Sequence, residues 1–186
     1  THVLPRDTFA HSRYSTFYVR FYRRACHPKF ASKVKLSDRT TNKMMKTIVI
    51  LGTAFPFRGG LAAFNERLAE EFIKMGHTVH IVTFSVQYPT LLFPGKSQMS
   101  DDPAPDLDIK RWVHSFNPFN WIIASRKIKS LKPDLIVCKY WLPVMGPCLG
   151  TVIRWSRLPN TSTVCILDNV IPHEKRPGDQ LFTRYF

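Results

Sequence analysis

From residue 45 onward the chain alternates between two hydrophobic periods, and that alternation limits its fold more than any other feature. "KTIVILG" (46–52) and "HTVHIVTF" (77–84) are short, β-branched runs bounded by turn residues, the pattern of strands buried on both faces. Between them Leu61, Phe64, Leu68, Phe72 and Met75 recur at spacings of three and four. This predicts a helix with that stripe inward and Asn65, Glu66, Arg67, Glu70, Glu71 and Lys74 in water. Gly76 is placed to cap its C-terminus. "LDIKRWV" (107–113) is a weaker strand candidate. Asn117-Pro118 opens a second helix, striped by Trp121, Ala124, Ile128 and Leu131 and stopped at Lys132-Pro133. "DLIVCKY" (134–140), a helix around Met145 to Trp155 and "TSTVCILDN" (161–169) complete the series. Strands and helices in strict alternation, joined by right-handed crossovers, predict an α/β domain. Its core is a doubly wound, Rossmann-like parallel sheet with helices on both faces.

The 186 residues, 44% of them hydrophobic, suffice for one buried core. The net charge of +14 is concentrated at the start: residues 1–44 carry ten Lys/Arg against two Asp, a net +8. That segment interleaves aromatic and basic residues ("STFYVRFYRRACHPKF", 15–30) without a sustained period. It suits contact with anionic lipid or nucleic acid, or an unstructured appendage. The expectation is a poorly structured basic segment over 1–44, outside the fold, and a domain over 45–186, with no nucleic-acid partner. The cysteines Cys26, Cys138, Cys148 and Cys165 form no C-x-x-C pair, so a reducing compartment and no structural zinc are expected. No run reaches the roughly 18 to 20 apolar residues of a spanning helix. A soluble, cytoplasmic location follows as an expectation.

The first strand leaves through "GTAFPFRGG" (52–60). Gly59 and Gly60 stand at the N-terminus of the Leu61 helix, where free backbone N–H groups and the helix dipole favour an anion and absent β-carbons let a ligand approach. A phosphate or pyrophosphate is the natural guest; a tight bend that needs glycine is the structural alternative. The dinucleotide fingerprint G-x-G-x-x-G is absent, and Ser85 and Gln87 stand where an NAD site places an acid. Gly60 is followed by Leu61, which excludes the phosphate loop G-x-x-x-x-G-K-[ST]. In an open α/β sheet ligands bind beyond the carboxyl ends of the strands. The glycine loop, the "YWLP" stretch (140–143) and "DNVIPHE" (168–174) are therefore expected to converge.

Taken together, "FPFRGGLAAFNERLAEEFIKMGHTVHIVTF" (55–84), "KPDLIVCKYWLPVMGPCLG" (132–150) and "DNVIPHE" resemble the N-terminal half of a GT-B glycosyltransferase of the family 4 type. The resemblance covers about residues 45–186. It implies two Rossmann-like domains with the active site between them, the N-terminal one holding mainly the acceptor and the C-terminal one the nucleotide sugar. By resemblance Gly59 and Gly60 lie against the donor diphosphate with Arg58 as an added charge partner, and His173 is the catalytic residue beside the transferred sugar. Tyr140, Trp141, Asn169 and Glu174 belong to the acceptor side, Glu174 standing where many relatives carry Asp. The family's two glutamates separated by seven residues lie in the C-terminal domain, and the sequence ends at Phe186 before any such domain. The expectation is thus a fragment, inactive alone, of a retaining enzyme that moves a sugar from a nucleotide-sugar donor to a glycan or lipid-linked acceptor. It uses no cofactor and no metal, the donor being a co-substrate.

Two alternatives stay open from the residues themselves. A non-catalytic module for phosphate ligands or anionic surfaces would use the same glycine loop and basic segment. In the long connection 85–106, Tyr88, Leu91, Leu92 and Phe93 are read first as packed. A gate over the acceptor cleft and a peripheral contact with a lipid-linked acceptor at the inner membrane face are the other two readings. Trp141 divides between core filler and sugar platform, and His173 between a site role and an ordinary loop hydrogen bond.

Overall fold

The computed structural model describes residues 18–21, 44–88, 99–168 and 178–186. Six strands form one sheet: β1 (Tyr18–Phe21), β2 (Thr47–Leu51), β3 (Thr78–Val86), β4 (Ile109–His114), β5 (Leu135–Tyr140) and β6 (Ser162–Leu167). Their order is β1-β6-β5-β2-β3-β4. The five strands β2 to β6 are all parallel, and β1 pairs antiparallel with β6 from Tyr18 opposite Leu167 to Phe21 opposite Val164. Four residues of the basic segment that the sequence reading set outside the fold therefore form an edge strand. The others of 1–43 lie outside the described residues.

Crossovers run through α1 (Gly60–Lys74), α2 (Pro118–Ser130) and α3 (Gly146–Ser156), the last preceded by a 3-10 turn at Pro143–Met145. A fourth helix, α4 (Asp179–Tyr185), was not foreseen. It closes on α3 where a β-carbon on Gly146 would lie 2.4 Å from the Phe182 carbonyl oxygen. The Phe186 ring stacks on Tyr140 at 4.3 Å.

Side-chain alternation along the strands assigns each helix to a face. Ile48, Ile50, Val79, Ile81 and Val137 pack with Ala69, Leu68 and Phe72 of α1. Val49, Leu51, Val82, Phe84, Val113, Ile136 and Cys138 pack with α2 and α3 through Ala124, Ile128, Leu149, Val152 and Ile153. The sheet is wound on both faces, as expected for a Rossmann-like α/β domain.

The local signals explain the boundaries. Asn117 caps α2 by accepting the Asn120 amide at 3.2 Å, with Pro118 in the first turn. At the end of α1, Gly76 adopts φ 83°. The Gly76 amide bonds the Ile73 carbonyl and the His77 amide that of Phe72, satisfying carbonyls the helix leaves free. The phase of α1 differs from the expected stripe. Ala62, Asn65 and Ala69 face inward, while Phe64 and Met75 are exposed. Two alanines let the helix axis approach the sheet closely, and the larger Leu61, Leu68 and Phe72 flank that line partly buried.

Candidate functional site

The strand order fixes where a crevice opens. β2 is central, β3 and β4 extend the sheet on one side, and β5 and β6 extend it on the other. The winding direction reverses between β2 and β5, and such a topological switch point is where open α/β sheets bind ligands. The loop 52–59 leaves the carboxyl end of β2 at this point, beside the carboxyl ends of β5 and β6.

Gly59 stands at the helix N-cap with φ 110° and ψ 175°, a backbone that side chains rarely adopt, and no side chain caps the helix. The first ladder bond runs from the Ala63 amide to the Gly59 carbonyl at 3.1 Å. The amides of Gly60, Leu61 and Ala62 therefore have no intrahelical acceptor. The first turn carries no carboxylate to occupy them. Gly59 and Gly60 are exposed, and a β-carbon added to either meets no atom of the described residues within 4 Å. Arg58 is exposed beside them. A helix start with unpaired amide donors and an aligned dipole favours negative charge.

The turn is held by a polar interior that the sequence reading did not foresee. Asn65, expected in water, is 1% exposed, and its Nδ2 donates to the Thr53 carbonyl at 2.8 Å. Gly52 is required by that approach, since a β-carbon there would lie 2.6 Å from Asn65 Nδ2. The Ala54 amide donates to Thr83 Oγ1 at 3.0 Å and the Phe55 amide to Glu66 Oε1 at 2.7 Å, tying the loop to β3 and to α1. The Ser100 amide donates to the Pro56 carbonyl at 2.7 Å, so the returning end of the long connection braces the loop from outside.

Next to this loop, on the α1 face of β5, Lys139 is 4% exposed. Its Nζ lies 3.0 Å from Asp168 Oδ1 and 3.6 Å from the centre of the Phe64 ring. A buried ammonium thus stands behind the first turns of α1, held by the residue that follows β6. The signal that could have found it is a lysine inside the apolar run "LIVCKY". A charge at that depth requires a partner, and the next strand supplies one at its carboxyl end.

The other site candidates fall into two groups. Tyr140 is 1% exposed, its ring stacked on Phe186 and its hydroxyl 3.0 Å from Thr183 Oγ1. Trp141 is 5% exposed, meets Phe84 edge-on and donates from Nε1 to the Tyr88 hydroxyl at 2.6 Å. Both rings are filled against protein. Asn169, His173 and Glu174, with Leu91, Leu92 and Phe93, lie outside the described residues. The chain enters that segment directly after Asp168, at the same edge of the sheet as the glycine turn.

Burial pushes the Cys148 thiol up to about 12 and holds Cys138 well above the ordinary thiol range, while the hydrogen bond with Cys138 lowers the Cys165 thiol. Among the described residues no helix is long and apolar enough to cross a membrane. No protein-family profile matches the chain, and no curated protein does.

Proposed function

We propose that this chain is the acceptor-side half of a retaining, metal-independent glycosyltransferase of the GT-B type. In this reading the diphosphate of a nucleotide sugar lies against Gly59 and Gly60, and a glycan or lipid-linked acceptor enters the same crevice. The observation that carries the reading is the open, uncapped glycine turn at the switch point between β2 and β5. Charge accumulates on the leaving diphosphate as the sugar–oxygen bond breaks. Fixed amide donors aimed there stabilise that charge without reorganising, which is the most effective form of electrostatic catalysis. Arg58 adds a mobile cation at the rim. Lys139, paired with Asp168, packs behind the first turns of α1 and supports the turn from below. His173 acts beside the transferred sugar, as the resemblance implies, in the segment that leaves β6.

The test is sugar transfer by the complete polypeptide, joined to its donor-side domain, from a panel of labelled nucleotide sugars. Gly60→Val and His173→Ala are each expected to lower the rate by about 10²–10³, the scale of losing an oriented donor or a catalytic group, with Tm unchanged. Wild-type rates in both variants would remove the glycine turn and His173 from the chemistry. Diphosphate binding without turnover of any nucleotide sugar would favour the non-catalytic phosphate-binding module.

A further inference from the structure

Two cysteines far apart in the chain meet on the α3 side of the sheet, away from the glycine turn. Cys138 of β5 and Cys165 of β6 stand directly opposite each other in the parallel ladder, flanked by the pairs Val137 with Val164 and Lys139 with Ile166. Residues opposed in a ladder project to the same face. Cys138 accordingly belongs to the core cluster with Leu149 and Val152, and Cys165 packs against it. The two thiols hydrogen-bond to each other. Neighbouring strands lie about 4.8 Å apart, inside the roughly 4.4–6.8 Å that a disulfide spans between Cα atoms. The sulfurs differ in access, because Cys138 is fully buried whereas Cys165 is partly exposed. They differ in ionisation in the same sense. The bond from the Cys138 thiol favours a thiolate at Cys165 and outweighs the opposing effect of burial there, while burial keeps Cys138 protonated.

We propose that Cys165 and Cys138 form a peroxide-responsive dithiol, in which hydrogen peroxide oxidises Cys165 and Cys138 then closes a reversible disulfide between β5 and β6. The Cys165 sulfur attacks one peroxide oxygen. An S–O bond forms, the O–O bond breaks, and the other oxygen leaves as water, so that Cys165 becomes a sulfenic acid. The Cys138 sulfur next attacks the Cys165 sulfur. The S–S bond forms as the S–O bond breaks, and the Cys138 proton departs with that oxygen as a second water. One peroxide has then accepted two electrons from two thiols and become two waters. Access and ionisation set the order: the attacking sulfur must be reached and must be a thiolate, whereas the resolving thiol need only stand beside it. Closing the bridge brings the β-carbons to about 3.8 Å, nearer than a parallel ladder holds them. Strained disulfides are the reducible, regulatory kind. The pair therefore acts as a switch that ties β5 to β6 when oxidised, and the proposal stands independently of the glycosyl-transfer reading.

The experiment treats the reduced full chain with equimolar hydrogen peroxide, alkylates the remaining free thiols and maps tryptic peptides by mass without reduction. Cleavage after Lys139 and Arg157 separates the two cysteines, so the bridge reads as peptide 130–139 joined to peptide 158–175. The joined pair is expected to form while the far-UV circular dichroism stays native, and to disappear on adding dithiothreitol. Cys138→Ala is expected to lose the joined pair and to gain a dimedone adduct at Cys165, the mark of a sulfenic acid left without its resolving thiol. Cys148→Ala is expected to keep the joined pair. The wild-type map carries the test whether or not the variants fold. Both cysteines remaining alkylated in folded, peroxide-treated protein would overturn the proposal, as would a bridge that forms only in urea. Linkage of Cys165 to Cys26 or Cys148 in place of Cys138 would overturn it too. So would irreversible oxidation of Cys165 with no joined pair.

Discussion

The two faces of the sheet are built on different principles. On the α1 face the helix is small or polar at its centre: Ala62 and Ala69 let it approach the apolar Ile48, Ile50, Val79, Ile81 and Val137, Asn65 bonds the Thr53 carbonyl, and Lys139 pairs with Asp168. On the α2 and α3 face the contacts are apolar and bulky, from Ile128 and Leu149 to Trp141 and Phe84. Charge divides in the same way. α1 carries Glu66, Glu70 and Glu71 with Arg67 and Lys74, whereas α2 and α3 carry cations alone. The face that positions the glycine turn adds directional bonds from the loop to Glu66, Asn65 and Thr83. The other face is packed mainly by volume.

The largest expected effect that sharpens this contrast is on the apolar face. Leu149→Ala, at a fully buried position, is expected to cost about 3–4 kcal/mol, within the usual range for a buried leucine. Urea denaturation checks the cost, and anion binding at the glycine turn should be unchanged. Next comes Asp168→Ala on the α1 face. It leaves the Lys139 ammonium buried without its partner and is expected to cost about 3 kcal/mol, the low end for a broken buried pair because Asp168 is partly exposed. Here binding of diphosphate should change together with stability, because the side chain packed behind the turn loses its anchor, and equal binding would break the distinction between the faces. Gly52→Ala forces a β-carbon against Asn65 and is expected to cost about 1–3 kcal/mol. Loss of the Thr53–Asn65 bond should appear as faster hydrogen exchange in the loop.

The smallest effect lies at the edge of the sheet. Burial alone would raise the Asp108 carboxyl, but hydrogen bonds from Lys110 and His80, with the charges of both, outweigh it and hold the group below its usual 3.8. A depressed carboxylate adds stability that is present above the unfolded pKa and is lost as pH falls through the folded one. Asp108→Asn should therefore lower Tm slightly at neutral pH, by an amount equivalent to under about 1 kcal/mol for so exposed a group. The gap to wild type should close as the solution is acidified below 3.8.

Much of the fold was legible because its signals are local. The β-branched runs became β2, β3, β5 and β6, Asn117-Pro118 began α2, and Gly76 ended α1. The inward phase of α1 was not legible, because hydrophobicity ranks Phe64 and Met75 above Ala62 and Ala69. Close helix-to-sheet packing selects small residues there instead. α4 escaped notice because seven residues carry too little periodicity, and its place depends on Gly146 and Gly150 of a distant helix. In the site, the glycine turn was evident from its residue types. Asn65 and Lys139 were not, because a polar residue in an apolar run declares its partner only when Thr53 and Asp168 are brought beside it. Strand order, which sets the switch point, is likewise a non-local property.

The central claim is that the amides opening α1 receive a diphosphate. It is tested most directly by following the backbone amide resonances during titration with inorganic pyrophosphate and then with a nucleoside diphosphate. The account predicts that Gly60, Leu61 and Ala62 shift together and saturably, and that Gly60→Val abolishes the shifts without lowering Tm, since a β-carbon there meets no atom of the described residues within 4 Å. Unmoved amides at this turn, with shifts confined to other basic residues, would contradict it.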